Sequence, residues 1–195
     1  MIKLLLTFSI LISAQGESLL DEVSARYSQS EGILWEIESI VYSEIFEEAD
    51  TSIINFQYSA PDSFSLTSTS ELIIGIGDTL WVKSIRHKQI QKKIMDSSML
   101  PYNFIINWRK SYNLVEHEKS DDDHIFKLEA IPGFSPERMV IKSDDSKKIS
   151  NLYYVDTKGD EVTMTIIDES LKRPEGFNLF YQDIPEGYDY IDLVE

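Results

Sequence analysis

Ala60-Pro61-Asp62-Ser63-Phe64-Ser65-Leu66, followed by Leu72-Ile73-Ile74-Gly75-Ile76 and Gly77-Asp78-Thr79-Leu80-Trp81-Val82, decides the fold of this chain. Pro61 has no amide hydrogen to give to a strand ladder, so it closes the strand before it. Phe64 and Leu66 open the next one. Gly77-Asp78 supplies a tight hairpin turn between two apolar runs, Leu72 to Ile76 and Thr79 to Ile85.

The same two-residue period extends outward on both sides. Upstream, Ile33, Trp35, Ile37 and Val41 point one way and Glu36 and Glu38 the other; Ile54, Phe56 and Tyr58 alternate with Asn55 and Gln57. Downstream, strand patterns recur at Tyr112 to His117, Ile125 to Ile131, Arg138 to Lys142, Ile149 to Asp156 and Glu161 to Ile167. Ser120-Asp121-Asp122-Asp123 and Asp156-Thr157-Lys158-Gly159-Asp160 read as the turns between them. Two helices interrupt the pattern. Leu19, Leu20, Val23 and Tyr27 share one face of a helix over Ser18 to Ser28, and Phe104, Ile105, Trp108 and Tyr112 form a second helical stripe behind Pro101. Short strands in sequential order predict one continuous, curling antiparallel sheet.

Composition narrows the function. The 195 residues are enough for one domain with a real core, and 42% hydrophobic with 27% charged residues is an ordinary globular balance. With 34 acidic against 18 basic residues, the formal net charge of -16 repels phosphate backbones and anionic headgroups. Nucleic-acid binding and stable insertion into or onto a membrane are therefore not expected. Residues 1–16 read as a secretory signal peptide: Lys3, an apolar run from Leu4 to Ile12, then Ala14-Gln15-Gly16, with cleavage before Glu17. The remaining residues, 17–195, read as a single domain. No cysteine is present, so there is no disulfide and no lipidation site at the cleavage point.

Catalytic constellations are not legible. His87, His117 and His124 form no short-spaced ligand pair, and Asp121-Asp122-Asp123-His124 reads as a solvated turn, so neither metal nor cofactor is expected. There is no nucleophile elbow and no phosphate loop. Glu116 with Glu118, and Glu36 with Glu38, read as outward strand faces.

Taken in order, these motifs resemble the outer-membrane lipoprotein carrier (LolA) family over nearly the whole chain after residue 16. The matching pieces are Phe56-x-Tyr58-x-x-Pro61-x-x-Phe64, Gly77-Asp78-Thr79-Leu80-Trp81, Pro101 with Phe104-Ile105, Asp156-x-x-Gly159, Phe177 to Phe180, and Ile184-Pro185-Glu186-Gly187. The resemblance implies a mainly β protein with helices (α+β): a strongly curved antiparallel sheet forming an incomplete β-barrel, with a helical lid over a hydrophobic cavity. It implies a non-enzymatic, monomeric periplasmic carrier that binds lipoprotein acyl chains. Cargo would come from an inner-membrane ABC-type release complex and pass to an outer-membrane acceptor. The lipid-binding residues expected on the sheet side are Ile37, Phe56, Tyr58, Phe64, Leu66, Ile74 and Trp81, with Phe64 at the cavity mouth. Those expected on the lid side are Met99, Leu100, Phe104, Ile105 and Trp108. Ala60 stands where the family carries Arg or Lys, the residue that latches its lid. A same-fold sensor or regulator that binds lipid or protein is the alternative, and a secreted hydrolase a more distant one.

Overall fold

A computed structural model of the chain describes residues 2–61, 63–95, 105–176, 182 and 184–194, with side chains from residue 15 onward. Alternating strands dominate it. In chain order the elements are helix α1 (Ile2–Ser28), strands β1 (Gly32–Ser43), β2 (Glu48–Ser59), β3 (Ser63–Thr67), β4 (Glu71–Ile76), β5 (Thr79–Ser84) and β6 (Gln89–Ile94). A four-residue helix α2 (Trp108–Ser111) then leads into β7 (Tyr112–Ser120), β8 (Asp123–Ala130), β9 (Arg138–Asp144), β10 (Ile149–Val155) and β11 (Glu161–Ser170). The last strand is β12 (Asp189–Asp192).

The strand order is β12-β6-β5-β4-β3-β2-β1-β11-β10-β9-β8-β7. The order runs as two meanders, β6 to β1 and β11 to β7, and the sheet is left open, with β12 and β7 at the ends of the order. The expected sequential order therefore holds within each meander, while the chain between β6 and β7 passes to the opposite edge. β12 also departs from expectation: it pairs with β6 in parallel, Asp189 beside Gln89 through Asp192 beside Lys92. Lys92 Nζ sits 3.0 Å from the Asp192 carboxylate at the end of that pair.

The turns behave as their residues dictate. Gly77 has φ 59°, the left-handed backbone that a two-residue hairpin between Ile76 and Thr79 requires. Asp156 Oδ1 accepts from the amides of Lys158 at 2.7 Å and Asp160 at 3.0 Å, which closes the β10–β11 turn.

The residues gather into two compact units. One contains 1–29, 40–50 and 98–165; the other contains 30–39, 51–97 and 166–195. In the first unit, α1 buries Leu20, Val23 and Tyr27, the stripe read from its spacing, while Leu19 is half-buried. Tyr27 Oη accepts from the Ile149 amide at 2.8 Å, and Ser24 Oγ donates to the Ile106 carbonyl at 3.1 Å. Phe126, Leu128, Met139, Ile141 and Leu152 fill the core of this unit from β8, β9 and β10. Tyr112, read both as the end of a helical stripe and as the start of a strand, is the first residue of β7; burial pushes its phenol pKa up, and its hydroxyl donates to the Pro136 carbonyl at 3.0 Å. α1 is continuous from Ile2, so residues ahead of the expected cleavage point are helical in the uncut chain. Among the described residues no helix is long and apolar enough to cross a membrane.

Candidate functional site

The second unit builds an aromatic face from β1, β2 and β3. Alternation in β1 buries Ile33, Trp35 and Ile37 together. Trp35 meets Phe56 of β2 with ring centroids 5.5 Å apart, and its indole donates to Glu169 Oε2 at 3.0 Å. The β2–β3 register sets Phe56 opposite Leu66 and Tyr58 opposite Phe64. Tyr58 Oη donates to the Pro61 carbonyl at 3.0 Å, which satisfies its polar end without leaving the face. Phe64 then lies opposite Gly75 of β4, with its ring over the space a side chain at Gly75 would fill. Phe64 is 0% exposed, packed into this face. Burying each such ring is worth about 1.5–3 kcal/mol.

Five of the expected sheet-side residues are thus brought together: Ile37, Phe56, Tyr58, Phe64 and Leu66. Two are not. Because Phe64 pairs with Gly75, Ile74 projects to the opposite face, and the β4–β5 hairpin pairs Ile74 with Trp81 there. These two belong to a separate cluster with Ile90, Leu72, Ile76 and Tyr188. Lys83 Nζ lies 4.8 Å from the Tyr188 ring centroid at its margin. The reading that joined Ile74 and Trp81 to Phe64 is corrected by this register. Its cause is visible in β4: Leu72, Ile73, Ile74 and Ile76 place apolar side chains on both parities, so the period carries no facing information.

On the expected lid side, Met99, Leu100 and Phe104 lie outside the described residues. Ile105 and Trp108 are described, and both are buried in the first unit. Trp108 Nε1 donates to Asp21 Oδ1 of α1 at 3.1 Å. Its neighbour Arg109 grips the same carboxylate through Nε at 2.9 Å and Nη2 at 2.7 Å, and reaches Glu17 through Nη1 at 2.8 Å. The Arg109 guanidinium also lies 4.5 Å from the centroid of the Trp108 indole. Hydrogen bonding from Arg109 holds the Asp21 carboxyl below the usual carboxylate range. Ala60 is exposed and carries only a methyl group, so it makes no latch of the family's kind.

One constellation escaped the sequence. The β7–β8 register pairs Lys119 with His124 and His117 with Phe126, so the two histidines are diagonal neighbours on one face. His117 Nε2 lies 3.2 Å from His124 Nδ1, and His124 Nε2 lies 2.8 Å from Asp145 Oδ1. Burial, reinforced by His124, pushes the His117 pKa down. The signal that could have found the pair is the turn itself: folding the chain about Asp121-Asp122 brings positions 117 and 124 within one step of each other. Among the described residues no group of three or more His, Asp or Glu side chains is placed to hold a metal ion. Glu116 and Glu118 share the Lys127 ammonium at 2.8 and 2.7 Å, in keeping with outward strand faces.

No protein-family model matches the sequence, and no curated protein matches it. Solved structures do resemble the fold. An uncharacterized conserved protein from Thermus thermophilus superposes at TM-score 0.56 with 10% identity, over 91% of this chain and 99% of that one. A LolA superfamily protein from Nitrosomonas europaea superposes at TM-score 0.50 with 12% identity, over 85% and 96%. A DUF1329 family protein from Desulfovibrio piger superposes at TM-score 0.50 with 14% identity, over 87% and 96%. The chain has the LolA-like fold: mainly β with helices, its sheet not closed into a barrel.

Proposed function

We propose that this chain is an exported carrier that binds the acyl chains of lipoproteins. The observation that carries the reading is the aromatic face of Ile37, Phe56, Tyr58, Phe64 and Leu66, set in a fold like that of a LolA superfamily protein. Acyl chains need such an escort, because each CH₂ group kept from water is worth about 0.8 kcal/mol. The face is already packed, so uptake exchanges the protein's own apolar contacts for those of the cargo. Transport involves no catalytic step. In the full reading the signal segment 1–16 directs export to the periplasm, an ABC-type complex loads the carrier, and an outer-membrane acceptor unloads it.

Native mass spectrometry of the chain with a triacylated lipopeptide tests the proposal. A one-to-one adduct displaced by acyl competitors and not by headgroup analogues supports it. A well-folded protein with no adduct to any acylated ligand overturns it.

A second reading, a same-fold regulator that holds a protein partner, is favoured by one observation. Ile45 and Phe46, at the turn between β1 and β2, are 77% and 74% exposed inside a run of acidic residues.

A further inference from the structure

We infer that His117 and His124 form a binding site for a divalent metal ion of the zinc class. The site lies wholly in the first unit and does not rest on the acyl-carrier reading.

The geometry comes first. Two imidazole nitrogens bound to one tetrahedral zinc, each at about 2.0–2.1 Å, stand about 3.3–3.4 Å apart. His117 Nε2 and His124 Nδ1 are 3.2 Å apart and face each other. Their rings are nearly parallel, 18° between planes with centroids 5.4 Å apart, and both must swing about 35° off the line joining the two nitrogens for their lone pairs to meet on one metal ion.

The surroundings orient both ligands. Asp145 accepts from His124 Nε2 at 2.8 Å, which leaves Nδ1 as the lone-pair nitrogen aimed at His117. A carboxylate on the far nitrogen is the support that metal-binding imidazoles commonly carry. The His117 ring lies against Phe126 with centroids 5.0 Å apart, which holds it from one side.

Charge and access are compatible. The pair opens into a cleft of about 530 Å³, also lined by Gln15, Ser18, Glu22, Lys119 and Lys147. Both lysines are already matched, Lys119 to Asp145 at 3.0 Å and Lys147 to Glu22 at 3.3 Å. Two protein nitrogens leave the other positions to water. In the metal-free protein one proton joins the two rings. When zinc takes its place, that proton moves to His117 Nδ1, the other neutral tautomer, and none is released.

The test is titration of the chain with zinc chloride in a non-chelating buffer, followed by calorimetry and by long-range proton–nitrogen NMR of the histidine rings. The expected result is one equivalent bound, with the His117 Nε2 and His124 Nδ1 resonances shifting and His87 unmoved. His117→Gln and His124→Gln should each weaken binding at least tenfold and His87→Gln should not; Asp145→Asn should weaken it by about 10–100-fold. No saturable binding, or binding that shifts only His87, overturns the inference. Because the NMR readout uses the unmutated protein, a variant that fails to fold does not decide the matter.

Discussion

The ring of Phe64 rests on Gly75, its cross-strand partner, and occupies the volume a side chain at Gly75 would need. The absence of a Cβ at one position is thus what lets the other be completely buried. Gly75→Ala should destabilise the protein by about 1–3 kcal/mol, the usual range for overpacking. Adding Phe64→Leu should recover part of that loss, since the shorter side chain vacates the space. Urea denaturation of the single and double variants measures the coupling, and strict additivity would show that the two positions do not share this volume.

The two faces of the second unit differ in their proposed contact with cargo, and tryptophan reports the difference. Trp35 lies with Phe56, whereas Trp81 lies with Ile74 on the other face. With Trp108 replaced by Phe, the Trp81→Phe protein emits from Trp35 alone and the Trp35→Phe protein from Trp81 alone. A lipopeptide with brominated acyl chains should quench Trp35 strongly and leave Trp81 largely unquenched. Equal quenching would sink the one-face assignment.

Tyr27 is completely buried and accepts the amide hydrogen of Ile149 at 2.8 Å. Tyr27→Phe removes the acceptor and leaves that amide unpaired, at a cost of about 1–3 kcal/mol. Thermal unfolding of the variant should show the loss, and the Ile149 amide should exchange faster with solvent. Unchanged exchange would mean that the hydroxyl is not the partner that protects it.

The Arg109–Asp21 grip sets part of the acid limit. The Asp21 pKa is lowered in the folded protein, first through hydrogen bonding from Arg109. A carboxyl with a depressed folded pKa contributes stability above its unfolded value, and that contribution fades as pH falls below about 4. Asp21 and Arg109 are both substantially exposed, so the effect is modest. Asp21→Asn should lower stability at neutral pH and flatten the acid limb of the stability curve below about pH 4. An acid limb identical to that of the parent would remove Asp21 from this role.

Much of the fold was readable because burial follows alternation wherever only one face of a strand is covered. β1 and β2 are examples, with Trp35, Ile37, Phe56 and Tyr58 inside and their neighbours outside or half-covered. The reading stopped where that physics stops. β4 is apolar on both faces, so its register, and with it the placement of Ile74 and Trp81, depended on pairing geometry that no local pattern records. β6 escaped notice because Gln89, Gln91, Lys92 and Lys93 dilute its signal and only Ile90 is fully buried. The parallel pairing of β12 with β6 joins segments distant in sequence, as does the return of β11 to β1. The histidine pair was hidden for a related reason, since ligand motifs count along one strand and these residues meet across two.

The division into two units has an evolutionary consequence. The chain passes from one unit to the other at positions 29/30, 39/40, 50/51, 97/98 and 165/166, three of these crossings falling within strands β1, β2 and β11. Neither unit is a continuous stretch of the gene. A single recombination event could not have joined two ready-made modules to make this protein, nor can one exchange either unit for another. Other chains share this fold at only 10–14% identity.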